Sequence, residues 1–289
     1  MQGIIDSITE WFKGILIDGI VGNLSGMFDT VNQQVGNIAG EVGKTPMQWN
    51  GDVFSMIRNI SETVIIPIAG LILAFVMCYE LIQMVIDKNN LHDIDTWIFF
   101  KWIFKTFIAV LLVTHTFDIV MGVFDVAQDV VNNSSGIIIA DTNIDLASVL
   151  PDMETRLQAM ELGPLFGLWF QSIFVGITMS ALTICVFIVI YGRMLEIYLM
   201  TSLGPIPIAT MVNREWGGMG QNYLKSLLAL GFQAFLIMVC VGIYAVLVRT
   251  IASDEDISTA IWMCMGYTVL LCFTLFKTGS LAKSIFNAH

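Results

Sequence analysis

The sequence predicts an all-α, polytopic membrane protein with about five full transmembrane helices, one broken or re-entrant helix, and amphipathic helices at the N-terminus. The first observation is composition: 56% of the 289 residues are hydrophobic and 13% are charged, whereas soluble domains carry about 25% charged residues. The second is that apolar residues fall in long runs, and about 20 apolar residues let a helix cross the bilayer. Too few polar residues remain to cover a water-soluble protein.

Five apolar runs are long enough to form transmembrane helices. They lie between segments richer in charged residues, and they cover residues 64–86, 103–123, 165–191, 226–248 and 260–276. We therefore expect a multi-pass protein of the cell membrane, surrounded by lipid.

A sixth apolar segment, residues 194–212, contains Gly204-Pro205-Ile206-Pro207 at its centre. Each proline removes a backbone amide donor and interrupts the hydrogen bonding of a helix. The segment is therefore predicted to be a broken or re-entrant element, or a poorly formed span. Irregular backbone at membrane depth is tolerated only where it is buried in protein or lines a water-filled cavity, so this segment should face other helices or a pore.

The N-terminal region, residues 1–62, has no spanning run and is predicted to be an external amphipathic region. It precedes a transmembrane domain of residues 63–289, with a long external loop at about 124–164. Helical spacing connects Ile4, Ile5, Ile8, Trp11, Phe12, Ile15, Leu16 and Ile20, and a weaker stripe connects Leu24, Phe28, Val31, Val35 and Ile38. Interspersed glycines are expected to divide the helix into short pieces. An external collar or plug and a simple surface anchor both fit this pattern.

Basic residues set the predicted orientation, because cytoplasmic loops are enriched in Lys and Arg. The segment after the first span contains Lys88, Lys101 and Lys105 and is predicted to be inside. Residues 124–164 contain Arg156 as their only basic residue and are predicted to be outside. If residues 194–212 crossed the membrane fully, the sides of all later segments would reverse. A segment that dips in and returns keeps most basic residues inside, which favours an external N-terminus and a cytoplasmic C-terminus.

The charged residues exclude some functions. A net charge of −11 does not suit a nucleic-acid-binding surface, which needs clustered Lys and Arg. The histidines His92, His115 and His289 form no catalytic or metal-binding pattern with other residues, and no phosphate-binding loop is present. The sequence therefore predicts no enzyme activity, no metal and no cofactor.

Ionisable residues inside membrane segments are costly and are candidates for function. Glu80, His115 and Asp118 are the candidate intramembrane polar residues, as proton or ion relays or as groups that simply reach water. Arg193 and Glu196 lie three positions apart and are predicted to pair on one helix face. The glycines of Gly217-Gly218-Met219-Gly220 permit either close helix packing or a flexible loop.

One region resembles a known family. Its residues are the run from Gly192-Arg193 through Glu196 to Leu199, the run Leu203-Gly204-Pro205-Ile206-Pro207-Ile208-Ala209, then Trp216, Tyr223-Leu224-Lys225 and Gln233. This pattern resembles the TrbL-like polytopic membrane subunit of conjugative type IV secretion systems, the counterpart of the large polytopic inner-membrane protein of the VirB system. The hydropathy resemblance covers most of residues 60–285, and the specific motif covers about 190–235.

The resemblance implies a non-enzymatic channel or scaffold subunit that helps DNA and protein to cross the membrane. It implies a ring of identical copies, a pentamer or hexamer, working with other secretion subunits and ATPases, with transient passage of DNA but no stable nucleic-acid binding. By the same resemblance, the broken helix and its core involve Arg193, Glu196, Gly204, Pro205, Pro207 and Trp216. Unlike many relatives, the chain is expected to have no long hydrophilic C-terminal tail, and its short external regions lead us to expect a Gram-positive host.

Two other functions fit parts of the sequence. Broken helices also build ion sites at the membrane midplane, so a secondary transporter or ion channel outside any secretion complex is the main alternative. That alternative predicts inverted repeats and paired intramembrane charges, neither of which is evident. A purely structural assembly factor, with a closed or lipid-filled centre, is the other.

Overall fold

The computed structural model describes residues 2–86, 96–142, 146–251 and 256–288. In these ranges every regular element is a helix. Five helices are long and apolar enough to cross a membrane, and they are Gly51–Ile86, Trp97–Thr114, Leu162–Leu203, Gly217–Ile251 and Ile257–Ile285. The predicted class, an all-α polytopic membrane protein with five spans, is thereby confirmed. Lys88, His92 and His289 lie outside the described residues.

The chain forms two compact units. The first unit comprises Met1–Val42, Val131–Ile190 and Leu236–Thr278, and the second comprises Gly43–Val130, Tyr191–Phe235 and Gly279–His289. This division by compactness does not follow the expected boundary between residues 62 and 63. The external placement of the N-terminal region remains a prediction.

The first unit is built from one long N-terminal helix and parts of several others. Its helices are α1 (Gln2–Val42), the later part of α6 (Thr116–Thr142), α7 (Leu146–Gln158), and large parts of α8 (Leu162–Leu203), α10 (Gly217–Ile251) and α11 (Ile257–Ile285). Helix α11 begins after Asp256, whose carboxylate accepts hydrogen bonds from the Thr259 hydroxyl and the Ser258 amide. The hydrogen bond from the Thr259 hydroxyl is the main reason that the pKa of Asp256 lies below its usual value.

Helix α1 is continuous, so the expectation that glycines divide it was wrong. Its 41 residues include a buried stripe that contains the whole of the weaker predicted pattern, namely Leu24, Phe28, Val31, Val35 and Ile38. Each glycine costs a helix roughly 1 kcal/mol relative to Ala, and burial of this stripe offsets that cost. The stronger predicted stripe behaves differently, since only Leu16 and Ile20 of its described side chains are buried.

The second unit begins with α2 (Pro46–Trp49) and α3 (Gly51–Ile60), and it continues through a π-helical turn, Ser61–Ile65, into α4 (Ile66–Ile86). Single π turns inside α-helices often occur at functional sites. The first apolar run therefore lies in a longer continuous helical stretch than the sequence predicted.

The second predicted span, residues 103–123, is interrupted at His115, between α5 (Thr96–Thr114) and α6. Three successive side chains bond back to carbonyls of the preceding turn: Thr114 to Val110, His115 to Leu111, and Thr116 to Leu112. Such side-chain bonds compete with the backbone hydrogen bonds of a helix. The backbone bonds of the His115 amide to Leu111 and of the Ile119 amide to the His115 carbonyl are nevertheless kept, and the apolar span ends at Thr114.

Residues 124–164, which were expected to form a long external loop, are largely helical in the described part. Helix α6 continues to Thr142 and α7 covers Leu146–Gln158, with Pro151 inside it. Helix α7 packs along α1, and the burial of Met153 and Leu157 supplies apolar contacts that a solvated loop would lack. The external placement of this segment is still a prediction.

Candidate structural core around the broken helix

The predicted break is present between α8 and α10. Helix α8 ends at Leu203, and the short helix α9 (Pro205–Thr210) begins after Gly204. Pro205 has no N–H for the Thr201 carbonyl, and the Gly204 amide approaches this carbonyl instead at 3.3 Å. Pro207 likewise offers no donor to the last turn of α8. The two prolines therefore explain why a helix of 42 residues stops here.

Two glycines let neighbouring elements approach the broken segment closely. A Cβ atom on Gly204 would lie 2.5 Å from the Tyr223 hydroxyl and 2.9 Å from Cγ2 of Thr116. A Cβ atom on Gly220 would lie 2.5 Å from the Pro207 carbonyl oxygen. Real Cβ atoms do not come so close to other heavy atoms, so any larger residue would force backbone or neighbours to move. Helix α10 thus lies almost directly against the backbone of α9.

Helix α9 lies on an apolar surface of the second unit. It packs against α4 and α5, and Ile208 and Ala209 are buried. They belong to one cluster of buried residues that also includes Ala69, Leu73, Met77, Ala109, Val113, Val120, Phe124, Met194, Ile197, Tyr223, Leu227 and Leu230. The broken backbone is therefore surrounded by protein, which is one of the two conditions under which such backbone is tolerated at membrane depth.

Asn213 connects the turn after α9 to helix α4. Its side-chain oxygen accepts hydrogen bonds from the amides of Glu215 and Trp216 at 2.8 and 3.1 Å. Its side-chain nitrogen donates to Oε2 of Glu80 at 2.7 Å, and it lies 3.4 Å from Oε1 of Gln83. Only 1% of Asn213 is exposed. A buried amide with both ends bonded fixes the turn against α4.

Glu80 is the charged centre of this polar cluster. It is 7% exposed, and its Oε1 forms an ion pair with the Lys105 ammonium group on α5, while Asn213 bonds to its other oxygen. A buried carboxylate is tolerated when it is paired and hydrogen-bonded. Glu80 therefore joins α4, α5 and the turn after α9.

A second carboxylate continues the cluster towards the surface. Glu215 accepts hydrogen bonds from Nε2 of Gln83 at 2.7 Å and from the Tyr79 hydroxyl at 3.1 Å. Trp216 stacks on the rings of Phe75 and Tyr79, each with a centroid distance of 5.7 Å, and 40% of Trp216 is exposed. The motif tryptophan thus packs on the outer side of α4.

The predicted pair between Arg193 and Glu196 is wrong. Glu196 instead forms an ion pair with Lys283 of α11 at 2.7 Å. Arg193 is buried and donates from Nε to the Leu230 carbonyl at 3.0 Å, while its Nη1 has no hydrogen-bond partner among the described residues. Tertiary contacts with α10 and α11 replace the local i,i+3 pair in this arrangement.

His115 lies at the junction of α5 and α6, Asp118 lies in the first turn of α6, and both are exposed. Asp118 is 3.7 Å from the Arg58 guanidinium group, which also bonds to Glu62 at 2.7 Å. Arg58 further lies over the Phe117 ring at 5.5 Å. These two residues are not brought together with Glu80 in the cluster around Asn213. Among the described residues, no three His, Cys, Asp or Glu side chains are placed to hold a metal ion.

The sequence missed most partners of the broken helix. It did not single out Asn213 or Gln83, Tyr223 entered only the resemblance motif, and Lys105 entered only the orientation argument. The Gly-Gly-Met-Gly run was an available signal, because Gly220 in that run makes the close backbone approach whereas Gly218 has open space beside it. A single Asn in a polar turn carries no comparable signal.

Comparison with known proteins identifies the family of this chain. The sequence model of the family described as TrbL/VirB6 plasmid conjugal transfer like protein matches residues 31–205, more than half of the chain. The chain belongs to this family. It is therefore a component of a conjugal transfer, or type IV secretion, system and a multi-pass membrane protein. No curated protein and no solved structure matches the chain.

The matched region includes part of the core described above. Glu80, Arg193, Glu196, Gly204 and Pro205 lie inside residues 31–205. Pro207, Asn213 and Trp216 lie beyond it. The family match therefore covers α8 and the beginning of the break, and the turn that fixes α9 is described by the structure of this chain alone.

Proposed function

We propose that this chain is a non-enzymatic channel or scaffold subunit of its conjugal transfer system. It lies in the cell membrane, forms a ring of identical copies, and aids the passage of DNA and protein. The observation that carries this proposal is the break at Gly204 to Pro207, with a backbone that is buried in protein and braced by polar contacts. Family membership indicates that the chain belongs to a conjugal transfer system.

The polar contacts that hold the broken segment favour a rigid structural element over a mobile catalytic site. Asn213 and Lys105 each bond to a different oxygen of Glu80, so the Glu80 carboxylate is not a free acid or base. A polar network that is fully bonded rigidifies the elements that it joins. The same bonding argues against a substrate-ion site at the break, which is what a secondary transporter would need.

The net negative charge of the chain also fits a component of a conduit for DNA. With a net charge of −11, the protein repels DNA over the range set by the salt concentration. A wall that repels the passing polymer prevents it from sticking. Partner ATPases supply the energy, and no stable complex between this subunit and nucleic acid is expected.

The proposal is tested by gene deletion and by the oligomeric state. Deletion of the chain in its conjugative donor should reduce transfer to the background frequency, and the intact chain supplied in trans should restore it. The protein extracted into nanodiscs should form a closed ring with the break near the ring axis in electron cryomicroscopy. Unchanged transfer after deletion, or a monomer with an internal ion site, would contradict the proposal and favour a transporter.

A further inference from the structure

Helix α1 runs beside α8 in the same direction. Asn23 donates to the Ser172 hydroxyl at 2.8 Å, and Gln34 donates to the Thr183 hydroxyl at 3.0 Å. Both pairs have a sequence separation of 149 residues, so the two helices advance together, by about 16 Å between these contacts. Near the start of this stretch, a Cβ atom on Gly19 would lie 2.7 Å from the Trp169 indole nitrogen.

The part of α8 beside α1 is the most apolar part of the described chain. Its helix has the highest mean hydropathy of the five candidate spans, at 2.7, and residues 165–190 contain no charged side chain. Phe174 and Ile177 are exposed on its outer surface. Since this stretch has the length and composition of a membrane span, the middle of α1 beside it is expected at membrane depth rather than outside, as the sequence had predicted, although α1 is not among the candidate spans.

One face of α1 is buried in the first unit. Leu24, Met27 and Phe28 line a cavity of about 10 Å³ together with Met153 of α7, Val248 and Ile251 of α10, and Ala260, Ile261 and Cys264 of α11. A cavity of this size leaves no room for a further side chain. This face of α1 is therefore fully covered by the chain itself.

The opposite face of α1 is exposed and contains no large apolar residue in this stretch. Its residues follow helical spacing and are Asp18, Gly22, Gly26, Asp29 and Gln33. We refer to these five residues as the α1 polar face. Among the described residues, neither Asp18 nor Asp29 has an ion-pair partner within 4.0 Å. The α1 polar face thus presents two unpaired carboxylates beside an uncharged membrane span.

A polar groove accompanies this face. It has a volume of about 310 Å³ and is lined by Gly22, Asn23, Gly26, Met27 and Thr30 of α1 and by Val175, Gly176, Met179, Ser180 and Thr183 of α8. Hydroxyl and amide groups and exposed glycine backbone make up much of its wall. A groove of this chemistry holds water molecules, which need several polar partners, better than it holds lipid chains.

We propose that the α1 polar face is the water-facing wall of the conduit. A carboxylate such as Asp29 is costly in hydrocarbon, so charged groups at membrane depth face a protein interior or a water-filled cavity. Direct contact between the same face of two copies would bring like charges together, which is unfavourable. Water with dissolved cations is the occupant that these charges accept. This inference rests on the proposed function, since it names the element that lines the proposed conduit.

The test uses cysteine accessibility in cells that carry the complete transfer system. The five cysteines, Cys78, Cys185, Cys240, Cys264 and Cys272, are first replaced by alanine. Single cysteines are then introduced as Gly26→Cys, Gly176→Cys and Ile177→Cys, and each is treated with a positively charged, membrane-impermeant methanethiosulfonate. Neither glycine has an atom within 4 Å of an added Cβ, so both positions accept the cysteine.

The matched pair is Gly176 and Ile177, which are neighbours at one depth on α8. Gly176 lines the groove, whereas Ile177 does not. We expect Gly26→Cys and Gly176→Cys to react at least about 10-fold faster than Ile177→Cys, because a thiol must ionise in water to react. Adding Asp29→Asn should lower the rate at which the cationic reagent modifies Gly26→Cys by about 2- to 5-fold. It should leave the modification rate of a neutral reagent unchanged.

Several results would overturn the inference. Equally slow reaction at all three positions would mean that lipid or protein covers α1. Equally fast reaction would mean that this part of α8 is outside the membrane. A disulfide between Gly26→Cys residues of two copies would mean that the α1 polar faces pack together. These outcomes do not depend on DNA transfer, so a fast Gly176→Cys in a chain whose deletion leaves transfer unchanged would overturn the proposed function alone.

Discussion

At the scale of single residues, the break depends on side chains that are small or are bonded at both ends. Gly220 allows α10 to lie against the Pro207 carbonyl, and Asn213 joins the turn after α9 to Glu80. Neither residue stands out in the sequence by its type or by the hydropathy around it. Both matter for stability because the backbones of α9 and α10 lie so close together at the break.

Gly220→Ala should destabilise the protein by about 1–3 kcal/mol, because overpacking forces neighbouring atoms to move. The added methyl group would meet the Pro207 oxygen at 2.5 Å and Cβ of Met211 at 2.7 Å. The matched control is Gly218→Ala, two residues earlier in the same helix, where nothing lies within 4 Å of the added Cβ. Thermal unfolding in detergent should show a lower Tm for the first variant and an unchanged or slightly higher Tm for the second. Equal Tm values for the two variants would contradict the close packing.

Asn213→Ala should also destabilise the protein, by about 1–3 kcal/mol, because it leaves the buried Glu80 carboxylate short of a donor. The amides of Glu215 and Trp216 lose their acceptor in the same change. The neighbouring exposed residue Arg214 supplies the control, and Arg214→Ala should change stability by no more than about 0.5 kcal/mol. Unfolding by heat in detergent compares the two. A loss in the control as large as in Asn213→Ala would show that the turn tolerates no change of any kind.

At the scale of elements, α9 is a separate helix because of its two prolines and the surface on which it packs. Helix α8 could otherwise continue through residues 204–209, which are apolar. The missing donors of Pro205 and Pro207 end the regular hydrogen bonding, and α9 is held by its contacts with α4 and α5.

The double variant Pro205→Ala with Pro207→Ala restores both donors and should let α8 continue. We expect the frequency of conjugative transfer to fall at least about 10-fold, at an unchanged amount of protein in the membrane, because the turn at Asn213 loses its position. Pro164→Ala is the control, since Pro164 lies in the first turn of α8, where a missing donor costs little. Full transfer by the double variant would mean that the break is not needed for function.

At the scale of the whole molecule, the length of α9 bears on orientation. It has 6 residues, about 9 Å of helix, and a crossing needs about 20 residues. This length favours a segment that enters the membrane and returns. Arg193, Arg214 and Lys283 are then predicted to lie on one side, and the enrichment of basic residues predicts that this side is cytoplasmic.

Topology reporters test this orientation. A fluorescent protein that matures only in the cytoplasm should be bright when fused after residue 288, and alkaline phosphatase should be active when fused within residues 146–158. The reciprocal fusions serve as controls and should be dark and inactive, respectively. Bright fluorescence from fusions at both sites would contradict the proposed external placement of residues 124–164. Active phosphatase at the C-terminus would instead mean that the chain crosses the membrane once more.

The sequence by itself determined the membrane class, the five spans and the position of the break. These properties follow from local composition: apolar runs of sufficient length, and prolines that remove donors wherever they stand. The predicted partner of Glu196 and the predicted division of α1 were wrong, because ion pairs and glycine-rich helices depend on distant residues. Lys283 lies 87 residues from Glu196 along the chain, and Asn213 lies 133 residues from Glu80. Only the tertiary structure decided these contacts, since packing energy from distant helices outweighs the small local preferences that a sequence pattern records.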